Sequence, residues 1–227
     1  MRGTKLGAVV AAGAALALLA ADGAAADNYQ YRFTSTDQAA ARRAVLLRTD
    51  LPTLSTWKGG FVKPDESADD TSCHGYSPKL SDLVVTGDSE TKYESNGFTI
   101  DTQATVLRTK TMVETDWRRQ PRSSDVLQCF REQWSAIGTS GSHFVSAAKL
   151  APTELGTHAT GYEVVFSVSA GAGKQPVRVA MDMVGFTRGR TEVMVIASAP
   201  VASTDGAAIV KAAATRVASI IDAKLRA

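Results

Sequence analysis

Near the end of the chain, three segments alternate apolar and polar residues and are separated by very short connectors. They span 162–169, 176–186 and 190–199, and a period of two is typical of β-strands that bury one face. The connectors at 171–174 and 188–189 are too short for a crossover, so they can join only antiparallel neighbours. Together with a weaker strand over 143–150, these segments predict an antiparallel meander.

Helical periodicity is found on both sides of this meander. Segments 35–48, 124–137 and 205–225 place their apolar residues on one face at about 100° per residue, which predicts amphipathic helices. Further strands are expected over 83–86 and 98–110, and Asn96-Gly97 before the second is a strong turn signal. We expect a loop over 57–75 and a short helix or loop over 114–124.

These elements predict an α+β fold. We expect a single antiparallel sheet of about six strands with three helices, the C-terminal helix being packed on the sheet.

The first 26 residues have the tripartite pattern of a secretory signal peptide. A positive start with Arg2 and Lys5 precedes an apolar run over 6–20, and Ala24-Ala25-Ala26 supplies small residues for a peptidase. The apolar run is shorter than the roughly 20 residues that span a bilayer. We therefore expect cleavage after Ala26, and a single secreted domain over 27–227 with no transmembrane segment.

Cys73 and Cys129 are the two cysteines of the chain. Export would place them in an oxidising compartment, where a lone pair usually joins, so we expect a structural disulfide. A redox pair or a thiol nucleophile is the alternative, but neither a C-x-x-C spacing nor a nearby base supports it.

The net charge and the absence of complete sequence motifs argue against several classes of function. The formal net charge of +2 lacks the concentrated basic footprint of a nucleic-acid partner. His74 beside Cys73, Asp69 and Asp70 resembles a metal cluster only while the cysteine is reduced. The segment 138–143 misses the G-x-S-x-G spacing of a nucleophile elbow, and 171–174 is a turn rather than a phosphate loop. We expect no enzyme activity, no cofactor and no metal site.

Two groups of residues are candidates for ligand binding. Arg118, Arg119 and Arg122 cluster around Trp117 and could bind an anionic glycan, a phosphate or an acidic partner. Alternatively, they are solvated side chains that pair with the acidic segment 65–70. Trp57 and Tyr76 are expected in loops, where aromatic side chains could contact carbohydrate.

Three stretches resemble a known family: AVLLRTDLPTLSTW over 44–57, LQCFREQW over 127–134 and FTRGRTEVMVIASAP over 186–200. They resemble the extracellular sensor-type domain of the actinobacterial PknH-type kinases and its stand-alone exported relatives. The resemblance implies a compact α+β domain with disulfides and a cleft for an unknown ligand. This chain has one cysteine pair where that domain carries two. The Mog1/PsbP-like group has a similar layout of helices and sheet.

The sequence therefore predicts a secreted, non-catalytic binding or sensor-like domain of the cell envelope. Its unknown partner is a small molecule, a glycan or an envelope protein. One alternative is a secreted hydrolase that uses Ser140, Ser142, His143, His158 and Glu163. Another is a structural protein that docks a partner, for which an exposed apolar patch would be typical. A concave pocket would instead favour binding of a ligand.

Overall fold

The computed structural model describes residues 28–52, 56–63, 79–136, 142–152, 154–169, 175–201 and 204–227. This described part forms an α+β fold with eight strands and four α-helices. In chain order they are β1 (Gln30–Tyr31), α1 (Ser35–Arg43), β2 (Lys58–Val62), β3 (Val84–Ser95), β4 (Phe98–Leu107), α2 (Lys110–Arg119), α3 (Ser123–Ala136), β5 (Ser142–Leu150), β6 (His158–Val168), β7 (Val177–Arg188), β8 (Thr191–Val201) and α4 (Thr204–Arg226).

All the strands belong to one sheet, whose order is β1-β3-β4-β8-β7-β6-β5, and β2 pairs with β3. The predicted meander is confirmed, because β5, β6, β7 and β8 pair consecutively and antiparallel. The expectation of an entirely antiparallel sheet was wrong, since β1 runs parallel to β3. The β3–β4 hairpin turns at Asn96 and Gly97, whose φ angles of 51° and 82° are those that the turn signal requires.

The predicted counts of six strands and three helices were wrong for physical reasons. β1 is too short to show a period of two, and β2 contains Gly59 and Gly60, which weaken a strand pattern. α2 lies where a strand end and a connector were expected, and Thr109 caps its start by accepting a hydrogen bond from the Met112 N–H. α1 ends at Arg43, five residues before the expected position.

The larger apolar core lies on one side of the sheet, here called the first face. α1 and α4 pack there, and α4 lies against β7 and β8. The predicted docking of the C-terminal helix is thus confirmed. The core buries residues from both helices and from β4, β7 and β8, including Ala41, Ile100, Val184, Phe186, Val195, Val210, Ala214 and Ile221. Removing this apolar surface from water is the main stabilising contribution.

One end of α4 is held by charged contacts. Arg188 Nε donates to Asp222 Oδ1 at 2.5 Å, Arg226 Nη2 donates to Oδ2 at 2.6 Å, and the Gly156 N–H donates to Oδ1 at 3.2 Å. Although burial opposes it, the hydrogen bonds from the two arginines hold the pKa of Asp222 below its usual value. Lys224 Nζ also donates to the Val45 carbonyl at 2.6 Å. These contacts fix the helix against the loops beneath it.

Asp182 of β7 is a buried carboxyl group on the sheet face that α4 covers, near Lys211. Its side chain is 0% exposed. Neither of its oxygens has a hydrogen-bond partner among the described residues. Glu163 lies directly opposite on β6. Burial and the charge of Glu163 raise the pKa of Asp182 to about 7, against an opposing effect of Lys211.

The other side of the sheet, here called the second face, is covered at two places. α3 packs over β5, β6 and β7, where Phe130 lies edge-on to Tyr162 at 5.8 Å between ring centroids. α2 packs at the end of β4, where Val113 joins Val85 and Leu107 in a small buried cluster.

Candidate functional site

Five polar residues form a line across the second face at the end where α2 lies. The strand registers pair His158 with Thr187, Thr187 with Glu192, Glu192 with Thr105, and Thr105 with Asp88. Residues that face each other on neighbouring strands project to the same side of a sheet, so all five side chains share the second face. We call this line the polar row. It crosses β6, β7, β8, β4 and β3.

α2 contacts this row with its acidic and aromatic residues. His158 Nε2 lies 2.9 Å from Glu114 Oε2, and the pair is ionic only when the histidine is protonated. The Trp117 ring stacks on the His158 imidazole with 5.2 Å between centroids and 16° between planes. A half-buried aromatic ring is thereby held in one orientation above the sheet.

A pair of carboxyl groups joins α2 to β8. The carboxyl groups of Asp116 and Glu192 lie close enough to interact, and Tyr29 Oη donates to Asp116 Oδ2 at 3.1 Å. Glu192 Oε1 is buried without a partner among the described residues. Burial raises the pKa of Asp116, and burial with the neighbouring Asp116 raises the pKa of Glu192 well above its usual value. Two neighbouring carboxyl groups whose pKa values are both raised favour a state in which the pair keeps one proton.

The arginines of the predicted cluster differ in their surroundings. Arg119 makes a bidentate pair with Asp82, at 2.7 and 2.8 Å, and also donates to the Lys79 carbonyl. Arg118 Nε donates to the Glu114 carbonyl at 3.0 Å, and Arg122 is exposed. The segment 65–70, with which we considered pairing them, lies outside the described residues. Of the three, Arg119 is therefore committed to Asp82.

Between α2 and α3, part of the second face has no described helix over it. We call it the open sheet face, and it includes Lys92, Asp101, Gln103, Met194 and Ile196. Gln103 is exposed, Met194 is 38% exposed and Ile196 is half-buried. Burial raises the pKa of Asp101, whose Oδ1 has no hydrogen-bond partner among the described residues.

A shallow groove continues this surface onto β2. Its volume is about 370 Å³, and it is lined by Lys58, Gly59, Gly60, Phe61, Val62, Lys92 and Glu94. Gly60 and Val62 of β2 pair with Lys92 and Glu90 of β3, so all four residues belong to the second face. Gly60 has no side chain to fill the space. The open sheet face and this groove together combine charged, amide, thioether and aliphatic groups.

The structure separates the other aromatic candidates from Trp117. Trp57 packs edge-on against Phe98 at 6.0 Å and belongs to the first-face core. Phe98 begins β4, whereas α2 follows its end, so the two tryptophans lie near opposite ends of that strand. Tyr76 lies outside the described residues. Trp57 and Trp117 do not form one surface.

The residues of the hydrolase alternative are also dispersed. His143 pairs with Ser167 and His158 with Thr187, at opposite ends of β6. Glu163 faces the other side of the sheet from His158, because odd and even positions of a strand alternate. Ser142 begins β5 near His143, and Ser140 lies outside the described residues. These residues give that alternative no common centre.

Cys129 is buried, at 4% exposure, and no cysteine of the described part is free. Cys73 lies outside the described residues, so its pairing with Cys129 stays a prediction. The leader over 1–26 lies outside them too. Within the described ranges, no cluster of three or more His, Cys, Asp or Glu residues could hold a metal ion. None of the described helices combines the length and the apolarity needed to cross a bilayer.

Sequence reasoning missed the contribution of Tyr29, Asp116 and Glu192. Tyr29 lies just before β1, a strand that the sequence did not reveal. Asp116 lies in α2, where a connecting segment was expected. Thr109, a good N-cap residue before Val113 and Trp117, was the signal that could have found α2.

Comparison with known proteins gives no relative. No family model, no curated protein and no solved structure matches this chain.

Proposed function

We propose that this chain is a secreted, non-catalytic binding or sensor-like domain of the cell envelope, which binds its ligand on the open sheet face beside α2. The observation that carries the proposal is a sheet face bounded by two helices and left without a described helix over its middle. Its export is the expectation drawn from the leader pattern in residues 1–26.

The chemistry of this face suits a ligand with both polar and apolar parts. Gln103 offers an amide donor and acceptor, and Lys92 offers an ammonium group. Met194 adds a polarizable surface, because its Cε lies over Gly185, only 3.3 Å from where a Cβ would stand. Ligand sites commonly combine apolar lining with a few placed polar groups. An entirely apolar patch would instead have supported a structural docking protein.

Methionine methyl groups provide a test, because they lie in different parts of the second face. Met112 belongs to α2 and packs against the Val85, Leu107 and Val113 cluster, Met181 and Met183 pack under α3, and Met194 lies on the open sheet face. The protein, labelled with ¹³C at its methionine methyls, is titrated with soluble peptidoglycan fragments, wall oligosaccharides and phospholipid micelles. Saturable movement of the Met194 signal, with little change at Met181, is the expected result.

Matched substitutions decide where binding occurs. Met194→Glu introduces a charge on the open sheet face, whereas Ile209→Glu introduces the same charge on α4, where Ile209 is 66% exposed. Binding should be lost in the first variant and kept in the second. No methyl movement across the whole panel, or equal loss in both variants, would contradict the proposal.

A further inference from the structure

The contacts that hold α2 on the sheet fall into two kinds. The apolar contacts of Met112 and Val113, and the bidentate pair of Arg119 with Asp82, need no titratable proton near neutral pH. The contacts of Glu114 with β6 and of Asp116 with β8 each depend on a proton. Both contacts are made to residues of the polar row, and both connect α2 to the part of the sheet beside the open sheet face.

The first proton belongs to His158. Its ring is an ionic partner for Glu114 at 2.9 Å only in the protonated form. The same ring stacks on Trp117, and a cationic imidazole is attracted by the face of an indole. Loss of this proton therefore weakens two contacts of α2 at once.

The second proton lies between Asp116 and Glu192. Two carboxyl groups can hydrogen-bond to each other only if one of them is protonated. Glu192 Oε1 is buried without a partner among the described residues, so ionisation would leave negative charge that no described group there satisfies. Two adjacent carboxylates would also repel each other across the boundary between α2 and β8.

We propose that α2 is a proton-controlled element, which docks tightly on the polar row in acid and loosens as the pH rises. The consequence for ligand binding rests on the proposed function, because α2 is one wall of the open sheet face. The docking itself is a property of the free protein.

The groups around the carboxyl pair support this direction. Burial raises the pKa of Asp116 and outweighs Glu192, Tyr29 and Arg119, which lower it, while the charge of Asp82 acts in the same direction as burial. The folded pKa values of Asp116 and Glu192 are raised, so below them the protonated pair does not oppose the docking of α2. As the pH rises through those values the pair ionises, and docking is weakened.

Amide hydrogen exchange of the ligand-free protein, followed by NMR at pH 5 and at pH 9, tests the proposal. After correction for intrinsic exchange rates, we expect α2 amides to exchange roughly tenfold faster at the higher pH relative to α4 amides. The Met112 methyl signal should shift over the same pH range, because this side chain of α2 packs against Val85 and Leu107 of the sheet.

Conservative variants make the test specific. Glu192→Gln replaces the shared proton with an amide donor to Asp116, so α2 should stay docked at pH 9 and its pH response should flatten. Asp116→Asn makes the reciprocal replacement and serves if the first variant folds poorly. Asp182→Asn changes a buried carboxyl on the opposite face and should leave the α2 response unchanged.

Equal protection of α2 at both pH values in the wild-type protein would overturn the proposal, as would an unchanged pH response in both the Glu192→Gln and the Asp116→Asn variants. Both readouts are obtained without ligand. Failure of the methionine titration to detect a ligand would therefore contradict the proposed function but not proton-controlled docking. Ligand binding without a pH response of α2 would contradict proton-controlled docking but not the proposed function.

Discussion

The buried carboxyl group of Asp182 should make the protein less stable as the pH rises. It is 0% exposed, has no described hydrogen-bond partner and has a pKa raised to about 7 from an ordinary value of 3.8. Because the unfolded chain releases this proton more readily than the folded one, stability falls with increasing pH between those two values. At about 1.4 kcal/mol per pKa unit, the full effect is roughly 4 kcal/mol, of which roughly 2 to 3 kcal/mol is expected between pH 5 and pH 8.

Asp182→Asn removes this titration while keeping the shape of the side chain. We expect the variant to be less destabilised than the wild type on going from pH 5 to pH 8, and to be the more stable protein at pH 8. The free energy of unfolding is measured by urea denaturation of both proteins at both pH values. Subtracting the pH-dependent change in the variant from that in the wild type cancels the contributions of the other titrating groups.

Glu163→Gln provides a matched control, because the charge of Glu163 contributes to the raised pKa of Asp182. It should reduce the pH dependence in part, since burial is the larger cause. If the wild type and Asp182→Asn lose the same stability between pH 5 and pH 8, Asp182 is not a buried, unpartnered carboxyl, and the reasoning is refuted.

Further substitutions test three other features of the fold. Gly87→Ala would place a Cβ 2.2 Å from a backbone oxygen of α1, so urea denaturation should show a loss of about 1–3 kcal/mol; wild-type stability would contradict that close approach. Asp222→Ala leaves two arginines without their buried partner and should lower the free energy of unfolding by about 3–5 kcal/mol. Arg226→Ala changes a side chain that is 56% exposed and should lower it by less than about 1 kcal/mol; similar losses in the two variants would refute the assigned burial. Cys129→Ser should lower stability by about 2–4 kcal/mol if the predicted bridge to Cys73 exists, and mass spectrometry after alkylation should find no free thiol in the wild type.

The period of two in β6, β7 and β8 was sufficient to predict their pairing, because short connectors leave only antiparallel neighbours. Helical periodicity likewise predicted α4 and its docking. β2 was not predicted, and α2 was predicted only in part, as a short helix or loop over 114–124. Gly59 and Gly60 weaken the strand pattern of the first, and the second carries several charged residues that contact the sheet through polar groups rather than through an apolar stripe.

The candidate site was only partly predictable. Trp117 and Arg119 were singled out from composition alone, whereas the partners His158 and Asp82 come from distant parts of the chain. The polar row depends on the register of five strands, and a single sequence does not specify which residues face each other across non-consecutive strands. The complete burial of Asp182 could not be predicted either, because alternation within β7 does not reveal that α4 covers its face.

The pairing of β4 with β8 has a kinetic consequence. β3–β4 and β5–β8 are each local units, but joining them closes a loop over residues 108–190, as Val106 meets Thr191. Such closure is entropically costly and slow compared with forming a hairpin. β8 supplies both Glu192 and Met194, so during synthesis neither the polar row nor the open sheet face exists until this strand has emerged and inserted. We therefore expect acquisition of binding competence to coincide with the final, rate-limiting phase of folding.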